Sequence, residues 1–243
     1  MNLIDWFADP AHWSGPDGIP RQMLVHIGYC AAAAGAALLI ALPTGLLIGH
    51  TGKGSVLVAG AANALRALPT LGLLIAAVVL LSPHFGSDAA FVVPALAVLV
   101  VLAVPPILTN AYAGVRAVPE SARDAAYGIG MRRWQVLLGV ELPCALPLIV
   151  SGVRSASLQL VSTATVAAYV SLGGLGRYII DGQAQLDYTQ MLAGAVLVAL
   201  LAIAVELALL LLERLLVSPG LSGRVRTPRA AAPDPGGEPV PAA

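Results

Sequence analysis

Long apolar runs separated by short polar stretches dominate this chain. Five of them, residues 23–48, 56–81, 89–109, 145–170 and 188–217, reach the ~20 residues that a helix needs to cross a hydrocarbon layer. The separators differ in kind. His50-Thr51-Gly52-Lys53-Gly54 is rich in turn formers, Ser82 to Asp88 is brief, and the longest polar interruption runs from Val118 to Pro143. Residues 1–21 hold Trp6, Phe7 and Trp13 with Pro10, Pro16 and Pro20, a mixture that fits an extracytoplasmic loop or short helix at a bilayer interface. From Ser218 onward the residues are mainly Pro, Ala, Gly and Arg, which predicts a disordered cytoplasmic tail over 218–243. The pattern therefore predicts an all-α integral membrane protein of about five transmembrane helices, with one domain over 22–217.

Composition agrees. Hydrophobic residues make up 58% of the chain and charged ones 11%, against about 25% charged in soluble domains. The net charge is zero, so no basic field exists for nucleic acid; the lipid bilayer is the expected surrounding. Lys53, Arg116, Arg123, Arg132, Arg133, Arg214, Arg224, Arg226 and Arg229 fall on one side of the predicted spans, and only Arg21 and Arg177 on the other. The positive-inside rule makes the heavier side cytoplasmic, which puts the N-terminus outside and the polar island and tail inside. Asp5, Asp9 and Asp17 without a basic leader exclude a cleavable signal peptide. Cys30 and Cys144 lie in or beside different spans and define no disulfide framework.

Within the island, Pro119 suits the start of a helix, and Glu120 and Asp124 place negative charge where the helix dipole favours it. Ala122, Ala125, Ala126 and Ile129 share one face, and Gly128-Ile129-Gly130 ends the helix. A second short helix is predicted to present Trp134, Leu137, Leu138 and Glu141 on one side until Leu142-Pro143 stops it. Two short helices over about 119–142 would thus lie flat and offer a small-residue face to another protein.

Asp124-Ala125-Ala126, then Gly130, Val140 and Leu142-Pro143 resemble the EAA motif of binding-protein-dependent ABC importer permeases, with Asp in place of Glu and Val in place of Ile. Further segments carry the likeness across residues 22–217. They are Val25-His26-Ile27-Gly28, Leu42-Pro43-Thr44-Gly45, Asn63 to Leu71, Pro105 to Val115 and the Gly173-Gly174-Leu175-Gly176 loop. They resemble the permeases of glycine betaine, carnitine and choline (osmoprotectant) importers. The resemblance implies the type I, MetI-like importer fold and coupling helices that seat in a cytoplasmic ATPase dimer. It also implies a second permease subunit, identical or paralogous, and an extracytoplasmic solute-binding protein. A permease for methionine or a polar amino acid is the alternative within that class. An ATP-independent secondary transporter is the alternative outside it, though no internal repeat supports one.

Charged groups inside the spans are costly and mark structure or pathway. Arg66 falls near the midplane of the second run with Pro69 after it, and either caps freed carbonyls, pairs with a carboxylate, or lines the path. Arg154 and Glu206 stand at similar depth in the fourth and fifth runs and are predicted to meet, the other course being separate snorkelling. His26 reads as an interfacial hydrogen-bonding group or a pathway residue. Gly173, Gly174 and Gly176 could form an outer gate or a plain turn. His12, His26, His50 and His84 show no metal-ligand spacing, and neither a nucleophile elbow nor a Walker A sequence is present. No cofactor is therefore expected on this chain, and ATP and Mg are expected on the partner ATPase.

Overall fold

A computed structural model describes residues 2–54, 60, 64–65 and 67–216. Its elements, in order, are α1 (Leu3–Ala8), α2 (Ile19–Thr51), α3 (Thr70–Leu81), α4 (Ala89–Arg116), α5 (Glu120–Gly128), α6 (Arg133–Val136), α7 (Leu142–Ala167), α8 (Gly176–Gln185) and α9 (Tyr188–Leu216). Four helical stretches among the described residues are long and apolar enough to cross a membrane: α2, α4, the run from α6 through α7, and α9. The 12-residue α3 is apolar but shorter. It is the described end of the predicted 56–81 span; much of the remainder, Arg66 included, lies outside the described residues, as does the predicted tail.

The core is a three-helix unit of α2, α4 and α7. Ala33, Ala37 and Ala41 form an i, i+4, i+8 stripe on α2, facing Leu99, Leu102, Ala103 and Ile107 of α4 and Ala156, Leu160, Ala164 and Ala167 of α7. Lipid tails are as apolar as these side chains, so helices associate in a bilayer through close van der Waals packing, which small residues permit. The approach is tight. A Cβ added at Gly49 would lie 2.6 Å from Cβ of Val115, and one at Gly152 would lie 2.7 Å from Cβ of Asn110 and 2.9 Å from the Pro106 carbonyl oxygen. By contrast α9 leaves Leu192, Leu200, Ile203, Leu207, Leu211 and Leu215 exposed along its length.

Several boundaries differ from expectation. α4 continues through Pro94, Pro105, Pro106 and Asn110 to Arg116. Each of these prolines leaves the carbonyl four residues back without its helical donor, yet the helix runs on without a break. The larger departure is at Leu142-Pro143, which does not stop the second island helix. Leu137–Glu141 instead form a π turn, with the N–H of Leu142 donating to the Leu137 carbonyl, and the helix runs on into α7. Pro143 explains this. It has no N–H for the carbonyl of Gly139, four residues back, and its ring would strike that carbonyl in α geometry, so the chain widens by one residue and continues.

At the other end of the bundle, α1 folds back over α8 and α9. Trp6 is buried, its ring edge-on to Tyr178 at 5.8 Å and stacked on His12 at 3.9 Å. The Tyr178 hydroxyl donates to the carbonyl of Asp17.

Candidate functional site

The polar island forms a surface built from α5 and the start of the α6 to α7 run. α5 begins after Pro119, which occupies the cap position rather than the first helical turn, and ends at Gly128. Gly130 then takes a φ of +88°, a left-handed conformation open to glycine at little cost, and turns the chain into α6. Asp124, Ala125, Tyr127 and Ile129 project outward, Ile129 being 82% exposed, while Ala126 packs inward. The face predicted to hold Ala122, Ala125, Ala126 and Ile129 together is therefore split, because α5 lies on the bundle with its Ala126 side down.

The second helix is split likewise. Trp134 and Leu138 are 62% and 58% exposed and edge a shallow concavity with Met131, Gln135 and Gly139. Leu137 and Glu141 are buried. Single-face presentation of all four residues, expected from α periodicity, fails because the π turn rotates Glu141 away from Trp134. Val140, Leu142 and Pro143 are half-buried within or just after that turn. They shape the backbone, whereas Asp124, Ala125 and Gly130 are on the outer surface.

Beneath this surface is a polar cluster that sequence reasoning missed. Glu141, 1% exposed, meets His50 Nδ1 at 2.6 Å through Oε2 and Arg123 Nε at 2.8 Å through Oε1. The His50 contact is a hydrogen bond. The Arg123 contact is an ion pair whose Nε–H is not aimed along a hydrogen-bond axis, while another nitrogen of the same guanidinium donates to the Val115 carbonyl. His50 ends α2, Val115 ends α4 and Arg123 belongs to α5. Removing one partner from such a buried pair costs about 3–5 kcal/mol, because the remaining charge is stranded. The available signal was Glu141 placed four residues after Leu137 on an otherwise apolar stripe; nothing local identified partners 18 and 91 residues away.

The other predicted residues are dispersed. Arg154 and Glu206 do meet: Arg154 Nε donates to Glu206 Oε2 at 2.8 Å, a second nitrogen pairs with Oε1, and Glu213 lies 3.8 Å from the third. His26 turns inward, toward α7 and the glycine loop. It is fully buried, with Nε2 3.2 Å from the Val161 carbonyl of α7 and Nδ1 without a hydrogen-bond partner. The glycine loop rests on it. Gly174, at φ +103°, donates its N–H to Gln22 Oε1 at 2.7 Å, and a Cβ there would lie 3.0 Å from His26 Nδ1. Leu172 and Leu175 are buried on either side, so this segment is packed between α2 and α7 rather than being a free surface turn.

Residues 41–218 match the family model described as binding-protein-dependent transport system inner membrane component. The chain is 34% identical over 186 residues to the glycine betaine/carnitine/choline transport system permease protein OpuCB of Bacillus subtilis, covering 76% of this chain and 82% of that one. It is 32% identical over 211 residues to the carnitine transport permease protein OpuCB of Listeria monocytogenes, covering 87% and 91%. It is 33% identical over 224 residues to the osmoprotectant import permease protein OsmW of Salmonella typhimurium, covering 91% and 100%. Its fold is similar to that of a chain in an inward-facing crystal form of the MetNI methionine ABC transporter, with a TM-score of 0.70 and 24% identity over 82% of this chain and 96% of that one.

Proposed function

The chain belongs to the inner membrane components of binding-protein-dependent transport systems, and from that premise we propose that it is the multi-pass permease subunit of an ATP-driven osmoprotectant importer. The observation that carries the mechanism is the exposed patch of Asp124, Ala125, Ile129, Gly130, Trp134 and Leu138, set at the end of a tightly packed three-helix unit. Small side chains there admit a partner's surface closely, and Trp134 and Ile129 supply apolar area that is wasted while exposed.

In this reading the patch faces the cytoplasm and docks a dimer of ATPase subunits, which hold the ATP and Mg. A second permease subunit, identical or paralogous, completes the path, and an extracytoplasmic binding protein delivers solute at the end formed by α1 and α8. Closure of the ATPases on ATP displaces α5. Because α2, α4 and α7 are interlocked through small residues, they respond as one body and open one end while closing the other. The loop of Gly173, Gly174 and Gly176 serves as the outer gate, as its packing against both α2 and α7 carries it with that body toward or away from the second permease subunit. Arg66 remains a candidate pathway residue.

The names of the relatives support glycine betaine, carnitine or choline as solute. The test is reconstitution with an ATPase and a binding protein in proteoliposomes, with uptake of each labelled solute measured. Uptake should require ATP on the α5 side and survive a protonophore. Uptake that collapses with the protonophore but not on ATP depletion would replace this reading with secondary transport.

A further inference from the structure

We infer that Glu141 is a positioning residue that passes movement of α5 to the transmembrane helices; the inference rests on the ATP-driven reading above. α5 has little apolar hold on the bundle. Of its residues only Ala126, a single methyl, is fully buried, and its packing is chiefly against the π turn and α6. The strong connection is ionic. Arg123 reaches from α5 to Glu141 and to the Val115 carbonyl at the end of α4, and Glu141 in turn holds His50 at the end of α2. Glu141 itself sits in the backbone that continues into α7. One buried carboxylate thus joins the docking helix to α2 and α7, while the Arg123 that it pairs with reaches α4.

A cluster with this placement does a different job from the outer patch. The patch determines whether an ATPase binds; the cluster determines whether its motion is transmitted. With the carboxylate neutralised, α5 keeps its exposed face, its partner and the Arg123 bond to α4, but can shift against α2 and α7. Nucleotide turnover then continues while solute movement falls behind.

The experiment uses the complete reconstituted complex and compares the wild type with Glu141→Gln, reading ATPase co-purification, hydrolysis rate and solute moved per ATP. The expected result is full co-purification, hydrolysis within about twofold of wild type, and a solute-per-ATP ratio lowered about tenfold, within the range by which residues remote from both ligands alter coupling. Glu141→Asp, which keeps the charge, should recover part of the ratio. A Glu141→Gln ratio unchanged from wild type overturns the inference. So does a parallel loss of co-purification, hydrolysis and uptake, which would make Glu141 only a support for the docking surface. If Glu141→Gln fails to accumulate in the membrane, His50→Gln, which leaves the Arg123 pair in place, decides on the same ratio. A wild-type complex lacking ATP-dependent uptake would defeat the importer reading itself, before any variant is compared.

Discussion

Truncation of Trp134 to Ala isolates the docking patch from the fold that carries it. The side chain is 62% exposed, so of the roughly 250 Å² a Trp can bury, about 150 Å² is free; at about 25 cal/mol per Å² a partner covering it would gain at most about 4 kcal/mol. Ordering of the ring and desolvation of its indole N–H reduce the net gain. A loss of about 2–3 kcal/mol, the level of an interface hot spot, corresponds to roughly 30- to 150-fold weaker binding. The same exposure means that the permease alone should hardly notice, and its melting temperature in detergent should move by less than about 2 °C. Binding of the ATPase to nanodisc-embedded permease, measured by interferometry, supplies the affinity. Affinity within about twofold of wild type, or a permease destabilised by several degrees, would show that Trp134 faces the bundle or lipid and that the patch is misassigned.

Gly35 of α2 has open space where a Cβ would stand, whereas Gly152 of α7 meets α4, so Gly35→Ala should stabilise by up to about 1 kcal/mol and Gly152→Ala should destabilise by about 1–3 kcal/mol. Equal melting temperatures for the two variants would contradict the close packing of α4 and α7. Glu206→Gln leaves Glu213 near Arg154, so the single variant should lower thermal stability slightly and Glu206→Gln with Glu213→Gln by more than the sum of the singles; strict additivity would remove the shared pair. Burial, with the Asp17 carboxylate adding, pushes the Tyr178 hydroxyl up to about 12. Its contribution is then complete below about pH 10 and lost as pH rises through about 12, and Tyr178→Phe should flatten that alkaline loss in a melting series. Pro143→Ala should lower the solute moved per ATP; a wild-type ratio would refute the role given to the π turn.

The long helices were legible because a bilayer imposes one condition, backbone satisfaction over about 20 apolar residues, which composition alone reveals. The ion pair of Arg154 and Glu206 was legible for a related reason. Two opposite charges at similar depth in an apolar medium have few ways to avoid stranding, and pairing is the cheapest. Helix ends were less legible. α4 runs on past residue 109 to Arg116, and Pro143, read as a stop, sits in a helix that continues through a π turn. The surroundings of His26 were not legible because depth along a helix says nothing about which side faces the glycine loop. The cluster of His50, Arg123 and Glu141 was illegible because it depends on where three helices end in space.

Winding explains why the residues of the second island helix divide as they do. In an α-helix each residue turns about 100°, so Glu141 would lie between Trp134 and Leu137, within the sector that also holds Leu138. A π turn advances by only about 80° per residue. Counted from Leu137, the four steps to Glu141 then fall short of the α value by about 80° in all, which carries the carboxylate past Leu137 to the side facing α2 and α5. Trp134 and Leu138 precede most of this deficit and stay outside. The observed exposures follow that division: Trp134 and Leu138 out, Leu137 and Glu141 in. Pro143 therefore acts at a distance of two residues, by denying Gly139 its α-helical donor and so aiming Glu141 at His50 and Arg123. With α winding the same sequence would place a carboxylate on the docking face and leave Arg123 without its partner, which ties the Leu-Pro pair to transmission rather than to helix termination.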